Sequence, residues 1–376
     1  MHPSLHPAYR SDIDGLRAIA VLSVLLFHAF PEVLPGGFTG VDIFFVISGY
    51  LISTILYSNL AAHSFSIVDF YGRRIRRIFP ALIVVLTSCF ALGWYVLLPD
   101  EYAQLGKHIA SGAGFIQNLT LWHESGYFDN AAETKPLLHL WSLGIEEQFY
   151  IVWPILLWIA YRCRANLLIV TVLLALGSFA LNIRGITVTK DLTATFYSPQ
   201  TRFWELLIGA TAAYLTLHPI YWIKKIASYA TSISILGLAL LLVGVVLIHK
   251  HSAFPGWWAL LPTLGAVLLI ASGPQAIINR VVLSHKWLVG IGLISYPLYL
   301  WHWPILVFLR ILHGQTPLWW QRLLALALAI ALSILTYRLI EKPIRFSKTD
   351  QAQRIKTTML MVLMVIVGYV GYNTYK

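Results

Sequence analysis

DIDGLRAIAVLSVLLFHAF, residues 12–30, decides the fold class. After acidic Asp12 and Asp14 it runs apolar to its end, with only two further ionisable groups, Arg17 and His28. A helical run of about 20 such residues crosses the hydrocarbon core of a bilayer. Arg17 and His28 are eleven residues apart, about 1100° of helical rotation and within about 20° of three full turns. They therefore share one face, roughly 16 Å apart along the axis. A helix that served only as an anchor would not need both.

The rest of the chain repeats the pattern. Of its 376 residues 58% are hydrophobic and 11% charged, with mean hydropathy +0.71, whereas soluble domains carry about 25% charged residues. Apolar runs fall at 13–30, 41–59, 78–98, 142–160, 166–183, 202–217, 229–248, 257–272, 288–309, 320–338 and 357–373. Read as spans, they give an all-α polytopic integral membrane protein of about 11 transmembrane helices. Segment 104–122, with Lys107, His108, Gln117 and Asn118, is less apolar and reads as a re-entrant or interfacial helix within a long loop, 99–141. MHPSLHPAYR at the start shows no small-residue cleavage site, so the first run is a retained span. Cys89 and Cys163 read as packing or free thiols.

Charge assigns the sides. With the N-terminus cytoplasmic, segments 1–17, 60–77, 161–165, 218–228, 273–287 and 338–356 face inward. They hold 18 of the 27 Lys and Arg but only 5 of the 16 Asp and Glu. This follows the positive-inside rule and leaves the C-terminus periplasmic. The net charge of +11 then reflects topology and contact with anionic lipid head groups, and nucleic acid need not be invoked. No internal repeat is found, which counts against a transporter built from inverted repeats.

Polar residues collect at the two faces. FYGRRIRRIFPAL, residues 70–82, places Arg73, Arg74, Arg76 and Arg77 at the inner mouth of the third span. Lysine would serve anchoring equally well, whereas clustered guanidinium groups favour bidentate recognition of phosphate. Arg17, taken alone, reads equally as a snorkelling anchor. GGFTGVDIFFVISGYLIS, residues 36–53, allows a tight hairpin and puts Asp42 at the depth of His28, where it either caps its helix or orients the imidazole. Ser48-Gly49 lacks the flanking glycine of a nucleophile elbow.

PLLHLWSLGIEEQFYIVWP, residues 136–154, enters the fourth span from outside with His139, Ser142, Glu146, Glu147, Gln148 and Tyr150. Ser142 and Glu146 are one turn apart, and carboxylates at a membrane entrance need water or a partner. SPQTRFWELLIGA, residues 198–210, carries Arg202 and Glu205 at i,i+3, either as a helix pair or as groups facing the same outer vestibule. SYPLYLWHWPIL, residues 295–306, sets His302 among aromatics typical of an interface. By this topology His28, Asp42, Ser142, Glu146, Arg202, Glu205 and His302 lie toward the outer side, and Arg17 with the arginine cluster toward the inner. Imidazole is the side chain best suited to exchange a proton near neutral pH. No metal-ligand spacing and no Gly-rich phosphate loop appears.

The stretches DGLRAIAVLSVLLFH, GFTGVDIFFVISGYLI, FYGRRIRRIFPAL, LLHLWSLGIEEQFYIVWP, TRFWELLIGA, SYPLYLWHWP and IEKPIR, in that order over residues 10–345, resemble the membrane acyltransferase family 3. Its best-known members are bacterial O-acetyltransferases of lipopolysaccharide O-antigen and other envelope sugars. The family's Arg-x10-His pattern falls on Arg17 and His28. Its Arg-x-x-Arg pattern falls best on Arg74 and Arg77, although Arg73 and Arg76 have the same spacing.

The resemblance implies an acyl donor, acetyl-coenzyme A, entering from the cytoplasm of an inner-membrane protein. The acceptor would be a hydroxyl of a glycan or lipid-linked glycan on the periplasmic side. The arginines would hold phosphates, Arg17 would line the donor channel, and His28 would act as general base, oriented by Asp42. Glu146 joins these as a catalytic candidate. Ser142, Glu147, Tyr150, Arg202, Glu205 and His302 are vestibule candidates. The resemblance also implies a ten-span domain over 1–345, with 346–376 a linker and eleventh span leading to a periplasmic SGNH-type domain in fused members. A transporter or flippase for a lipid-linked sugar is the rival reading, since it too would want intramembrane charges.

Overall fold

The computed structural model describes residues 9–125, 132–218, 227–249, 251–346 and 349–376. The inward segments 1–17, 218–228 and 338–356 thus fall partly outside the described residues. Every apolar run is helical. The first helices are α1 Ser11–Ala29, α2 Gly40–Ala61, α3 Ile67–Val96, α4 Pro99–Ala113, α5 Gln117–Glu124 and α6 Leu140–Arg162. Then come α7 Leu167–Arg184, α8 Leu192–Tyr197, α9 Pro199–Leu217, α10 Ala230–Leu247 and α11 Leu260–Ser272. The chain ends with α12 Lys286–Leu293, α13 Ser295–His313, α14 Trp319–Leu335, α15 Lys342–Arg345 and α16 Asp350–Tyr375. No strand occurs among the described residues.

Among the described residues, seven helical stretches are long and apolar enough to cross a membrane: Gly37–Ala61, Ile67–Val96, Leu140–Arg162, Leu167–Thr189, Ala230–Leu247, Trp319–Arg345 and Gln351–Tyr375. The bent pair α12 and α13 makes an eighth when taken as one span. The chain is a multi-pass membrane protein. Three of the eleven expected spans fall short for physical reasons. Helix α1 carries Asp12, Asp14 and Arg17 within 19 residues. Helix α9 is diluted by Gln200, Arg202 and Glu205, and α11 has only 13 residues. Helices α4 and α5, which take up most of 104–122, are each too short to span a bilayer.

The chain forms two compact units, Met1–Phe65 with Glu146–Leu293 and Ser66–Ile145 with Ile294–Lys376. In the first, α2 packs along α9, α1 against α2 and α12, and α7 against α9. The α2–α9 crossing is backbone against backbone. A Cβ on Gly49 would lie 1.8 Å from the Leu206 carbonyl oxygen, and one on Gly209 would lie 2.2 Å from that of Val46. Only glycine fits there. Trp204, Ile248, Phe254 and Ala259 form a buried cluster, with Phe38, Phe179 and Phe196 packed on it. In the second unit α16 lies along α3 and α4, and α13 packs on α3 and α14.

Candidate active site

In the first unit, the α1–α2 hairpin puts His28 in the last turn of one helix and Asp42 in the first turn of the next. Asp42 Oδ1 accepts from Arg202 Nη2 at 3.1 Å, and Arg202 Nη1 lies 3.0 Å from Glu205 Oε1. None of the three is more than 1% exposed. The guanidinium also sits over the rings of Phe45, Phe196 and Phe254, 5.5 to 5.6 Å from their centroids. In such a medium attraction between opposite charges is far stronger than in water, and it offsets part of their desolvation.

The expectation that Asp42 orients His28 is replaced by this pairing. Among the described residues Asp42 bonds Arg202 and makes no bond to His28. A permanently charged guanidinium is the stronger partner for a buried carboxylate. His28 is half-buried and its ring packs against Phe27 at 5.4 Å. Phe27 meets Phe38 at 5.2 Å, and Phe38 meets Phe254 at 4.9 Å. A run of aromatic contacts therefore links the His28 ring to Phe254, over whose ring Arg202 sits.

Arg17 lies on the same unbroken α1 as His28. Its Nη1 is 3.4 Å from Asp14 Oδ1, and Asp14 Oδ2 accepts from the Tyr9 hydroxyl at 2.8 Å. On α6, Glu146 Oε1 accepts hydrogen bonds from the hydroxyls of Ser48 and Tyr150. Glu147 beside it is buried. Ser48, set aside as a nucleophile, is thus a hydroxyl partner of Glu146, and Ser53 on the same helix accepts from Trp153 Nε1 at 2.8 Å.

The second unit gathers His139, Ser142, Tyr299 and His302. Ser142 Oγ lies 2.7 Å from the Tyr299 hydroxyl, which donates to the His139 carbonyl at 2.9 Å. His302 is fully buried. Its Nδ1 faces the carbonyls of Tyr299 at 2.7 Å and Leu298 at 3.2 Å. Two acceptors fix the proton on Nδ1 and leave Nε2 the acceptor in the neutral ring. The His139 ring stands 5.8 Å from that of His302. Of the arginines on α3, Arg73, Arg74 and Arg77 are half-buried, whereas Arg76 is buried and bonded to α16.

Sequence reasoning did not find a second polar centre in this unit, around Glu124. Lys107 Nζ lies 2.8 Å from Glu124 Oε1, while His108 Nε2 and Lys135 Nζ lie 2.9 and 3.0 Å from Oε2. Burial pushes the pKa of the Glu124 carboxyl up, but contacts with His108, Lys107 and Lys135 outweigh it and hold the group well below the ordinary carboxylate range. A depressed carboxylate stabilises fully above its unfolded value, about 4.3, and that contribution is lost progressively as pH falls below it. Glu124→Gln should therefore lower thermal stability at pH 7, by about 2 kcal/mol. It should also flatten the acid limb of the melting curve recorded against pH. An acid limb identical to the native one would refute this account.

Residues 10–338 match a family described as an acyltransferase domain. The chain belongs to that family. It is 33% identical over 401 residues to the YrhL protein of Bacillus subtilis strain 168, covering 98% of this chain and 61% of that one. It is 30% identical over 381 residues to the O-acetyltransferase OatA of Staphylococcus aureus strain NCTC 8325, covering 96% and 62%. Against the peptidoglycan O-acetyltransferase OatA of Listeria monocytogenes, identity is 32% over 351 residues, covering 90% and 56%. The chain thus spans about three fifths of the length of these relatives. No solved structure matches it.

Within this acyltransferase-family chain, Tyr299 was legible in principle, since it precedes His302 by three residues and so shares its helix face. The Glu124 centre was not. Its members come from α4, α5 and the turn before α6, and no periodic spacing links them.

Proposed function

We propose that this chain moves an acetyl group from acetyl-coenzyme A, bound from the cytoplasm, to a hydroxyl of an envelope glycan outside the inner membrane. The observation that carries this reading is α1, one unbroken helix with Arg17 and a half-buried His28 three turns apart. The imidazole accepts the hydroxyl proton as that oxygen attacks the thioester carbonyl. The carbon–sulfur bond breaks, and the departing thiolate takes up the proton from the imidazolium. This direct route needs no acylated serine or cysteine. Arg74 and Arg77 are assigned to the phosphates of the donor, with Arg17 along its path. The eleven-span topology, with the N-terminus inside and Lys376 outside, belongs to the same proposal and suits an acceptor on the far side. A reporter fused after Lys376 that proved cytoplasmic would overturn those sides.

The family resemblance implies an envelope glycan such as lipopolysaccharide O-antigen as acceptor, whereas the Listeria relative is named for peptidoglycan. Both glycans, and their lipid-linked precursors, are hydroxyl-bearing envelope polymers. The direct test is to incubate purified protein with acetyl-coenzyme A and each glycan, following thiol release and glycan acetylation. Translocation of a lipid-linked sugar without thiol release would favour a flippase instead.

Donor binding gives a second test. Arg74→Lys with Arg77→Lys keeps the inward positive charge but loses bidentate geometry. Affinity for acetyl-coenzyme A should fall by roughly 1.5–3 kcal/mol per lost contact while membrane insertion stays normal. Unchanged affinity, measured by calorimetry, would return these arginines to a purely topological role.

A further inference from the structure

Arg76 stands apart from its three neighbours. It is buried on α3, and its guanidinium reaches α16: Nη1 donates to Thr357 Oγ1 at 2.8 Å and Nη2 to Gln353 Oε1 at 3.0 Å. The Thr357 hydroxyl gives its own hydrogen to the Gln353 carbonyl at 2.7 Å. Its lone pair is therefore turned toward the arginine before any ligand arrives. Both acceptors are neutral. A carboxylate in either place would hold Arg76 as well but would cancel one of the four positive charges that residues 73–77 gather. Glutamine and threonine fix the geometry and leave the field intact.

The far end of α16 is fixed independently. A Cβ on Gly106 of α4 would lie 2.6 Å from the Gly371 carbonyl oxygen, and one on Gly371 would lie 2.7 Å from that of Gly106. Lys107 Nζ sits 5.6 Å from the centre of the Tyr375 ring. Helix α16 is thus held to α4 at one end and to Arg76 at the other, which sets the rotation of α3 about its own axis at residue 76. Arg73 and Arg77 lie three residues before and one after that fixed point, and Arg74 two before. Their directions follow from it.

We infer that Gln353 and Thr357 are positioning residues of the donor site, pinning Arg76 so that α3 presents Arg73, Arg74 and Arg77 to the phosphates of coenzyme A. This rests on the reading of those arginines as phosphate ligands given above.

The test measures binding of acetyl-coenzyme A by calorimetry, together with KM and kcat, on the full chain purified in detergent. Thr357→Val is nearly isosteric and removes one acceptor; Gln353→Leu removes the other. Each should weaken donor binding and raise KM by about threefold to tenfold, the scale of one hydrogen bond to a charged group, with kcat within twofold of native. Thr357→Ser keeps the hydroxyl and should bind as the native chain does. Unchanged affinity in both Thr357→Val and Gln353→Leu would overturn the inference. So would a fall in kcat and melting temperature that Thr357→Ser shares. Arg77→Ala separates the two layers of argument. If it weakens binding while the α16 variants do not, only the positioning role fails. If it leaves binding unchanged, the phosphate reading fails and the positioning role falls with it.

Discussion

A His28→Gln variant is expected to bind acetyl-coenzyme A as the native chain does and to lose acyl transfer by a factor on the order of 10²–10⁴. Glutamine keeps a similar volume and a hydrogen-bonding end but cannot take up a proton. His28 is only half-buried at the end of α1, so the exchange carries little packing penalty. The donor's phosphates are assigned to α3, so binding should survive. His28→Ala should be equally inactive. Arg17→Ala should fail differently, weakening or misplacing the donor and lowering turnover through position. Binding and transfer measured separately on monodisperse protein decide the matter. Retained transfer in His28→Gln would rule out the base.

The second large effect is structural. Arg202→Met should destabilise the chain by about 3–5 kcal/mol, because it leaves Asp42 and Glu205 buried with no cation between them. Arg202→Lys should recover only part of this, since a point charge can neither engage both carboxylates in one plane nor lie flat against Phe45, Phe196 and Phe254. Neutralising all three residues together, as Arg202→Met with Asp42→Asn and Glu205→Gln, should restore most of the lost stability. Denaturant unfolding in detergent reads each step. A triple variant no more stable than Arg202→Met would show that the group is not held by its charges. A stable but inactive triple variant would place the charges in the chemistry.

Much of this was readable from residue order. Each of the eleven apolar runs became helix, because a hydrophobic stretch in a bilayer has few other ways to satisfy its backbone. The common face of Arg17 and His28 followed from helical period alone. The pairing of Arg202 with Glu205 at i,i+3 was equally local. What local spacing could not supply was the third partner, since Asp42 lies 160 positions away and its two natural suitors, His28 and Arg202, look alike from the sequence. The two registers of the arginine cluster were indistinguishable for the same reason. Only the return of α16 to α3 sets Arg76 apart from Arg73, Arg74 and Arg77.

Gly49 and Gly209 limit how such a chain can evolve. Asp42, Val46 and Gly49 follow one stripe of α2, and Arg202, Leu206 and Gly209 follow the matching stripe of α9. The spacing that lets the two glycines touch backbone is the spacing at which Asp42 meets Arg202 at 3.1 Å. One added methyl, displacing the helices by roughly 1 Å or more, would carry that pair beyond hydrogen-bonding range. Sequence drift must therefore run through faces that do not take part in this crossing. Two residues without side chains are then as unforgiving of replacement as the buried charges they bring together, and lineages of this fold would diversify around them.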